Sequence, residues 1–218
     1  METAIYVEPS DVGARLEELG LKALPLRDAL KYGHLHQAAC TANDPPITWG
    51  IIRWGKATRA LREMLASEGW IRCDEGNFSI TLNPDRTMAI SIQTGDEGTG
   101  YPDRIPSTKH KKGPATVAAV EQNAAQLSFN FPIQLRPIRP QKPMSKCMTW
   151  LLLASTGINE IRCELSLPHY INEDGHVEEW AERIMLDSIP LDNEPVIRGR
   201  MEESGEDIIV PIARRKTS

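Results

Sequence analysis

Apolar residues recur along the chain at helical and strand periods in turn, and the changes of period mark its elements. Val12, Leu16 and Leu19 follow helical spacing behind Ser10 and Asp11, which can cap the helix, and Gly20 can end it. A second helix is expected from Leu26 to about Cys40. It must stop at Asn43-Asp44-Pro45-Pro46, because proline lacks the N–H and disfavours helical backbone before it. A third helix, about Ile51–Glu68, places Trp54, Ala57, Leu61, Met64 and Leu65 on one face and ends at Gly69.

The period then shortens to two. Trp70–Cys73, Asn77–Leu82 and Met88–Ile92 read as strands, with Phe78/Ile80/Leu82 and Met88/Ile90/Ile92 alternating with polar positions. Asn83-Pro84-Asp85-Arg86 supplies the turn between the last two. After the polar, turn-rich stretch 94–116, Pro114 can open a helix carrying Val117, Val120, Ala124 and Leu127 on one face. Beyond Cys147 the apolar run Met148–Ala154 and the alternating Ile161/Cys163/Leu165/Leu167 predict a hairpin. Ile184/Leu186 and Ile208/Val210/Ile212 predict two further strands, with turns at Asp174-Gly175 and Ser204-Gly205.

Residues 126–135 admit two readings. Leu127, Phe129, Phe131, Ile133 and Leu135 alternate with polar residues or proline, which predicts an edge strand opening a C-terminal sheet, where Pro132 is tolerated. Burying five such side chains at about 1.5–3 kcal/mol each favours the strand over an exposed linker. The same stretch also resembles a short linear motif. Gln126-Leu127-Ser128-Phe129-Asn130-Phe131 is similar to the hexapeptide by which proteins bind bacterial sliding clamps, although Asn130 separates the two aromatics. That resemblance implies that Gln126 binds a pocket rim while Leu127, Phe129 and Phe131 fill an apolar groove.

These elements predict an α+β protein. Residues 1–100 would form N-terminal helices packed on a short antiparallel hairpin, and 101–126 a basic connector with a short helix. Residues 127–218 would form a mostly antiparallel β unit with a frayed basic tail. A chain of 218 residues with 40% hydrophobic content can bury a core of this kind. No run of about 18 apolar residues is present, and Met-Glu-Thr-Ala-Ile lacks the charged and apolar regions of a secretory signal. Cys40, Cys73, Cys147 and Cys163 form no Cys-x-x-Cys pair, so reduced thiols and a cytoplasmic location are expected.

The net charge of −5 conceals an asymmetry. Residues 101–147 carry eight lysines and arginines against Asp103 and Glu121, whereas residues 158–209 carry fourteen acids against four arginines. The two parts can neutralise each other, or the basic stretch can bind a polyanion. In the third helix Arg53, Lys56, Arg59 and Arg62 recur every three residues. With the following strands, Ile51–Ile92 resembles the recognition helix and wing of winged-helix proteins, which implies phosphate contacts from these side chains. Lys109, Lys111 and Lys112 are the second candidate nucleic-acid contact.

Catalytic signatures are not recognised, and no cofactor is expected. His34, His36 and Cys40 cannot supply three convergent zinc ligands from one helix, since His34 points away from the face shared by the other two. Asp96 and Glu97, with Asp103, could hold Mg²⁺ in a nuclease supported by Lys109, Lys111 and Lys112, although their spacing fits no established pattern. Asn83–Gly100 joined to Thr108–Asn123 resembles uncharacterised proteins of prophages and integrated mobile elements, a resemblance that implies no activity. The expected function is therefore a non-enzymatic accessory protein of a phage or mobile element, binding nucleic acid or a nucleic-acid-processing complex. The alternatives are a protein–protein inhibitor of host defence or replication machinery, whose acidic half would mimic DNA charge, and a Mg²⁺-dependent nuclease.

Overall fold

A computed structural model describes residues 2–129 and 147–191. In chain order the elements are β1 (Ala4–Tyr6), α1 (Pro9–Glu18), α2 (Ala23–Gln37), α3 (Pro46–Leu65), β2 (Ile71–Cys73), β3 (Ile80–Leu82) and β4 (Met88–Thr94). There follow α4 (Pro114–Phe129), β5 (Met148–Thr156), β6 (Glu160–Ile171) and β7 (Val177–Pro190). The described strands form one mixed seven-stranded sheet in the order β1-β7-β6-β5-β4-β3-β2.

The mixed α and β content agrees with expectation, and so do most of the local elements. Helix α3 buries Ala57, Leu61 and Leu65, and Gly69 takes the left-handed conformation (φ +83°) that ends the helical segment. The β3–β4 turn is held by Asn83, whose Oδ1 accepts from the N–H groups of Thr87 (2.8 Å) and Met88 (2.9 Å). Trp54 and Met64, expected on the buried face, are instead 40% and 37% exposed. Ala60 and Thr58 are buried instead; Trp54 shares the row of Thr58, Leu61 and Leu65, and burial on that row begins only at the turn after it.

Long-range pairing is where expectation and structure part. The C-terminal unit was expected to be antiparallel, and β5–β6–β7 are so paired. Both outer neighbours of that meander are parallel: β4 runs beside β5 from Met88↔Met148 to Thr94↔Ala154, and β1 beside β7 from Ala4↔Glu182 to Tyr6↔Ile184. The hairpin that resembled a wing is thus the flank of the main sheet, and one sheet draws strands from both sides of residue 100.

Helices α1–α3 and α4 share out the two faces of this sheet. Leu16, Leu26, Leu30, Leu61 and Leu65 meet Ile90, Ile92, Trp150, Leu152, Ile161, Leu165 and Ile184 in the larger core. On the opposite face Val120 of α4 joins Leu151, Leu153, Val177 and Trp180. Strand β5 contributes to both cores, which accounts for its uninterrupted Trp150-Leu151-Leu152-Leu153 run.

The strand expected to open at Leu127 is a correction. Gln126–Phe129 form the last turn of α4, and residues 130–135 lie outside the described part of the chain. Thr116, Val120 and Asn123 are buried along α4, and Leu127 extends that row at helical spacing to pack partly buried on the larger core. Helical burial of the preceding turns carries the chain through Leu127 in spite of its alternating neighbours. Asn123 fixes the helix: its Nδ2 donates to Thr149 O (2.8 Å) and Pro168 O (2.9 Å), and its Oδ1 accepts from Thr149 N (2.9 Å). The strand expected at Ile208/Val210/Ile212 and the turn at Ser204-Gly205 also lie outside the described residues.

Candidate nucleic-acid interface

Residues 95–113 connect β4 to α4 without regular structure, yet their backbone is fixed by buried side chains of the sheet. Glu164 of β6 and Arg183 of β7 are 0% and 2% exposed and paired at 2.6 Å. Ser166 Oγ and the Gly100 N–H also donate to the Glu164 carboxylate, at 2.8 and 2.9 Å. The remaining Arg183 donors reach Tyr101 O (3.1 Å) and Arg104 O (2.6 Å). A buried charge pair is tolerable only when its other donors and acceptors are matched, and here the loop backbone supplies the match. Gly100 is required at its position: its φ is +77°, and a Cβ would lie 2.8 Å from the Arg162 Cβ. The Tyr101 ring is flanked by the guanidinium groups of Arg104 (4.6 Å) and Arg162 (4.5 Å).

Further along, Trp180 Nε1 donates to Pro106 O (2.8 Å), and Thr108 bridges to Gly95 as a short β contact. Thr108 Oγ1 accepts from Val177 N (3.1 Å), while Thr108 O accepts from His176 Nδ1 (2.6 Å), which must therefore carry the proton. The loop thus reaches its basic end already anchored. Lys109 N then donates to Thr94 O (2.9 Å) and Lys112 N to Gly175 O (2.8 Å), so the backbone on both sides of His110 and Lys111 is tied to the sheet.

Lys109, His110 and Lys111 are exposed, and Pro114 opens α4 two residues after Lys112. The Lys111 stem lies across Gly175, where a Cβ would come within 2.7 Å of the Lys111 Cγ. Lys112 turns inward, donating from Nζ to Gln93 Oε1 (2.8 Å), and Gln93 Nε2 donates in turn to Ser91 Oγ (3.0 Å). Burial pushes the Lys112 amine down to about 8. Among the described residues no carboxylate lies within ion-pair distance of Lys109, Lys111 or Lys112. Lys109 and Lys111 are thus exposed cations shortly ahead of a helix N-terminus in the chain, and both features favour an anion.

The α3 arginines are differently placed. Arg53 is half-buried and donates to Thr156 Oγ1 (2.9 Å), and burial lowers its guanidinium below the ordinary value. Arg59 is exposed in an i, i+4 bridge to Glu63 (2.7 Å). Arg62 donates to Asp74 (2.6 Å), Cys73 O (3.4 Å) and Ile80 O (3.2 Å), pinning α3 to β2 and β3. This bonding to Arg62, with help from Ser79, holds the Asp74 carboxyl below its usual range. Lys56, half-buried, has no ion pair among the described residues.

The other candidates are also located. Gln126 Nε2 donates to Cys147 O (3.2 Å), so it and Leu127 already have intramolecular partners, and Phe131 lies outside the described residues. Asp96 closes its own turn, its Oδ1 accepting from Gly98 N (3.0 Å). Among the described residues no three His, Cys, Asp or Glu side chains converge as a metal set. His34 is held below its ordinary value by burial and then by the Arg53 charge, an environment unsuited to a cation. Cys163 is pushed up to about 12 by burial, which leaves it a protonated thiol.

Glu164, Arg183, Tyr101 and Asn123 were not singled out from the sequence. Glu164 and Arg183 stand at the polar positions of their strands' alternation, so the sequence carried no signal that would have found the first two. No helix among the described residues is long and apolar enough to cross a membrane. Comparison with family models, with curated proteins and with solved structures returns no match.

Proposed function

We propose that the chain is a non-enzymatic accessory protein of a phage or mobile element that binds nucleic acid through the Lys109–Lys112 loop. The observation that carries this reading is the fixed presentation of Lys109 and Lys111 next to the start of α4, with no carboxylate in ion-pair distance among the described residues. Phosphate is the anion that such a site takes at neutral pH, and a polymer of phosphates is the form that rewards several adjacent lysines. Lys56 is a secondary contact. Arg53, Arg59 and Arg62 are not contacts in this reading, because each already has an intramolecular acceptor.

Titration of labelled duplex and single-stranded DNA by fluorescence anisotropy tests the proposal. Three phosphate contacts on a duplex give a log–log salt slope of about −2.7, so affinity falls about 40-fold between 50 and 200 mM salt. The Lys109→Ala/Lys111→Ala variant is expected to reduce that slope by about 2. Absence of binding at low salt, or a slope untouched by the double substitution, rejects the reading.

A further inference from the structure

An open groove of about 340 Å³ lies at the end of the sheet where β4 and β5 begin. Its apolar lining is Leu19 after α1, Met88 of β4, Leu127 of α4, Met148 and Trp150 of β5, and Leu167 of β6. Met88, Trp150 and Leu167 belong to the larger core, and Leu19, Leu127 and Met148 pack partly buried against it. The charged side of the groove is already matched within itself. Arg15 bonds Glu182 at 2.8 and 2.9 Å and Glu18 at 2.6 Å. No counter-charge is called for, so the apolar lining decides what the groove takes.

The chain leaves and re-enters the described structure at this groove. Gln122 and Gln126 of α4 both donate to Cys147 O, at 2.8 and 3.2 Å, so the last turns of α4 lie beside the start of β5. Leu127 and Met148 therefore line the groove from either side of residues 130–146, the segment that joins them. A chain that departs and returns at one place reaches at most half its extended length, here roughly 30 Å. Soon after α4 this segment carries Phe131, Ile133 and Leu135, and its later part is proline-rich and basic. Residues 192–218 start from elsewhere, since Leu191 bonds Asn159 O beyond the opposite end of β5.

We propose that Phe131, Ile133 and Leu135 dock in this groove of their own molecule, against Met88, Met148, Trp150 and Leu167. The segment is tethered at both ends, and an effective concentration of about the millimolar range favours it over a second chain. Docking uses Phe131 within the fold, as Gln126 and Leu127 are already used. The Gln126–Phe131 hexapeptide is then left without the anchors that a sliding clamp would grip. The inference does not depend on nucleic-acid binding at Lys109–Lys112.

Hydrogen exchange of the full-length chain, read by mass spectrometry, tests it against a synthetic peptide of residues 126–146. Docking predicts that the amides of residues 131–135 exchange about tenfold or more slowly in the protein than in the peptide. Phe131→Ser/Ile133→Ser/Leu135→Ser should abolish that protection, and Leu19→Lys, which places a charge in the groove, should abolish it from the other side. Retained protection of β6 in both variants shows that the fold persists. Exchange at the peptide rate in the wild type overturns the proposal. So does protection that survives Leu19→Lys, or that falls on dilution, which would assign the groove to a second copy.

Discussion

Two series of cations that look alike in sequence differ in what surrounds them. Arg53, Arg59 and Arg62 lie on a helix packed against the sheet, and each finds an oxygen within its own fold. Lys109 and Lys111 stand on an irregular loop whose backbone is pinned from below, and no carboxylate approaches them among the described residues. Regular spacing on a helix therefore says little about availability. A short charged run on an anchored loop says more, because the anchoring removes the conformational freedom that a partner would otherwise have to take away.

The comparison breaks most visibly if the anchor is removed. Glu164→Ala leaves Arg183 buried without its counter-charge and is expected to cost about 3–5 kcal/mol of stability. Urea unfolding measures the loss, and hydrogen exchange should rise selectively at residues 96–106. A smaller effect is expected at Arg62→Ala, which removes the bonds to Cys73 O and Ile80 O. Stability should fall by about 1–2 kcal/mol while the salt slope of nucleic-acid binding is unchanged. A reduced slope would return Arg62 to the binding series.

Lys112 separates the loop lysines from one another. Its folded-state value near 8, below the ordinary 10.5, means that the unfolded chain binds more protons between those pH values. The cost of holding it charged is full below pH 8 and fades as pH rises toward 10.5, so stability gains with pH across that window. Unfolding midpoints at pH 7, 8.5 and 10 should show this gain in the wild type and not in Lys112→Met. The smallest effect is expected at Arg59→Ala, where an exposed i, i+4 pair is lost and the midpoint should not move beyond error.

Legibility in the sequence followed the range of the interactions. Helices α1 and α3, strands β3, β4 and β6, and the Asn83 turn were readable because burial of one face imprints its period on neighbouring residues. The Lys109–Lys112 run was readable as a cluster, but not the lack of a carboxylate partner for it among the described residues, which depends on side chains far along the chain. The stretch from Gln126 shows the limit: Leu127 fits both a period of two and the helical row that runs back through Asn123 to Thr116. Asn123 favours the helix through bonds to Thr149 and Pro168, which no local pattern contains.

By itself, the sequence determined the local elements, the segregation of charge and the location of the cationic runs, since each is a property of residues close in the chain. The tertiary structure decided that β4 lies beside β5 and β1 beside β7, that Glu164 and Arg183 sit beneath the loop, and which cations have no carboxylate partner among the described residues. These outcomes depend on closing long loops and matching buried donors to acceptors. Both are set by the assembled sheet, and neither leaves a periodic trace in the residues that take part.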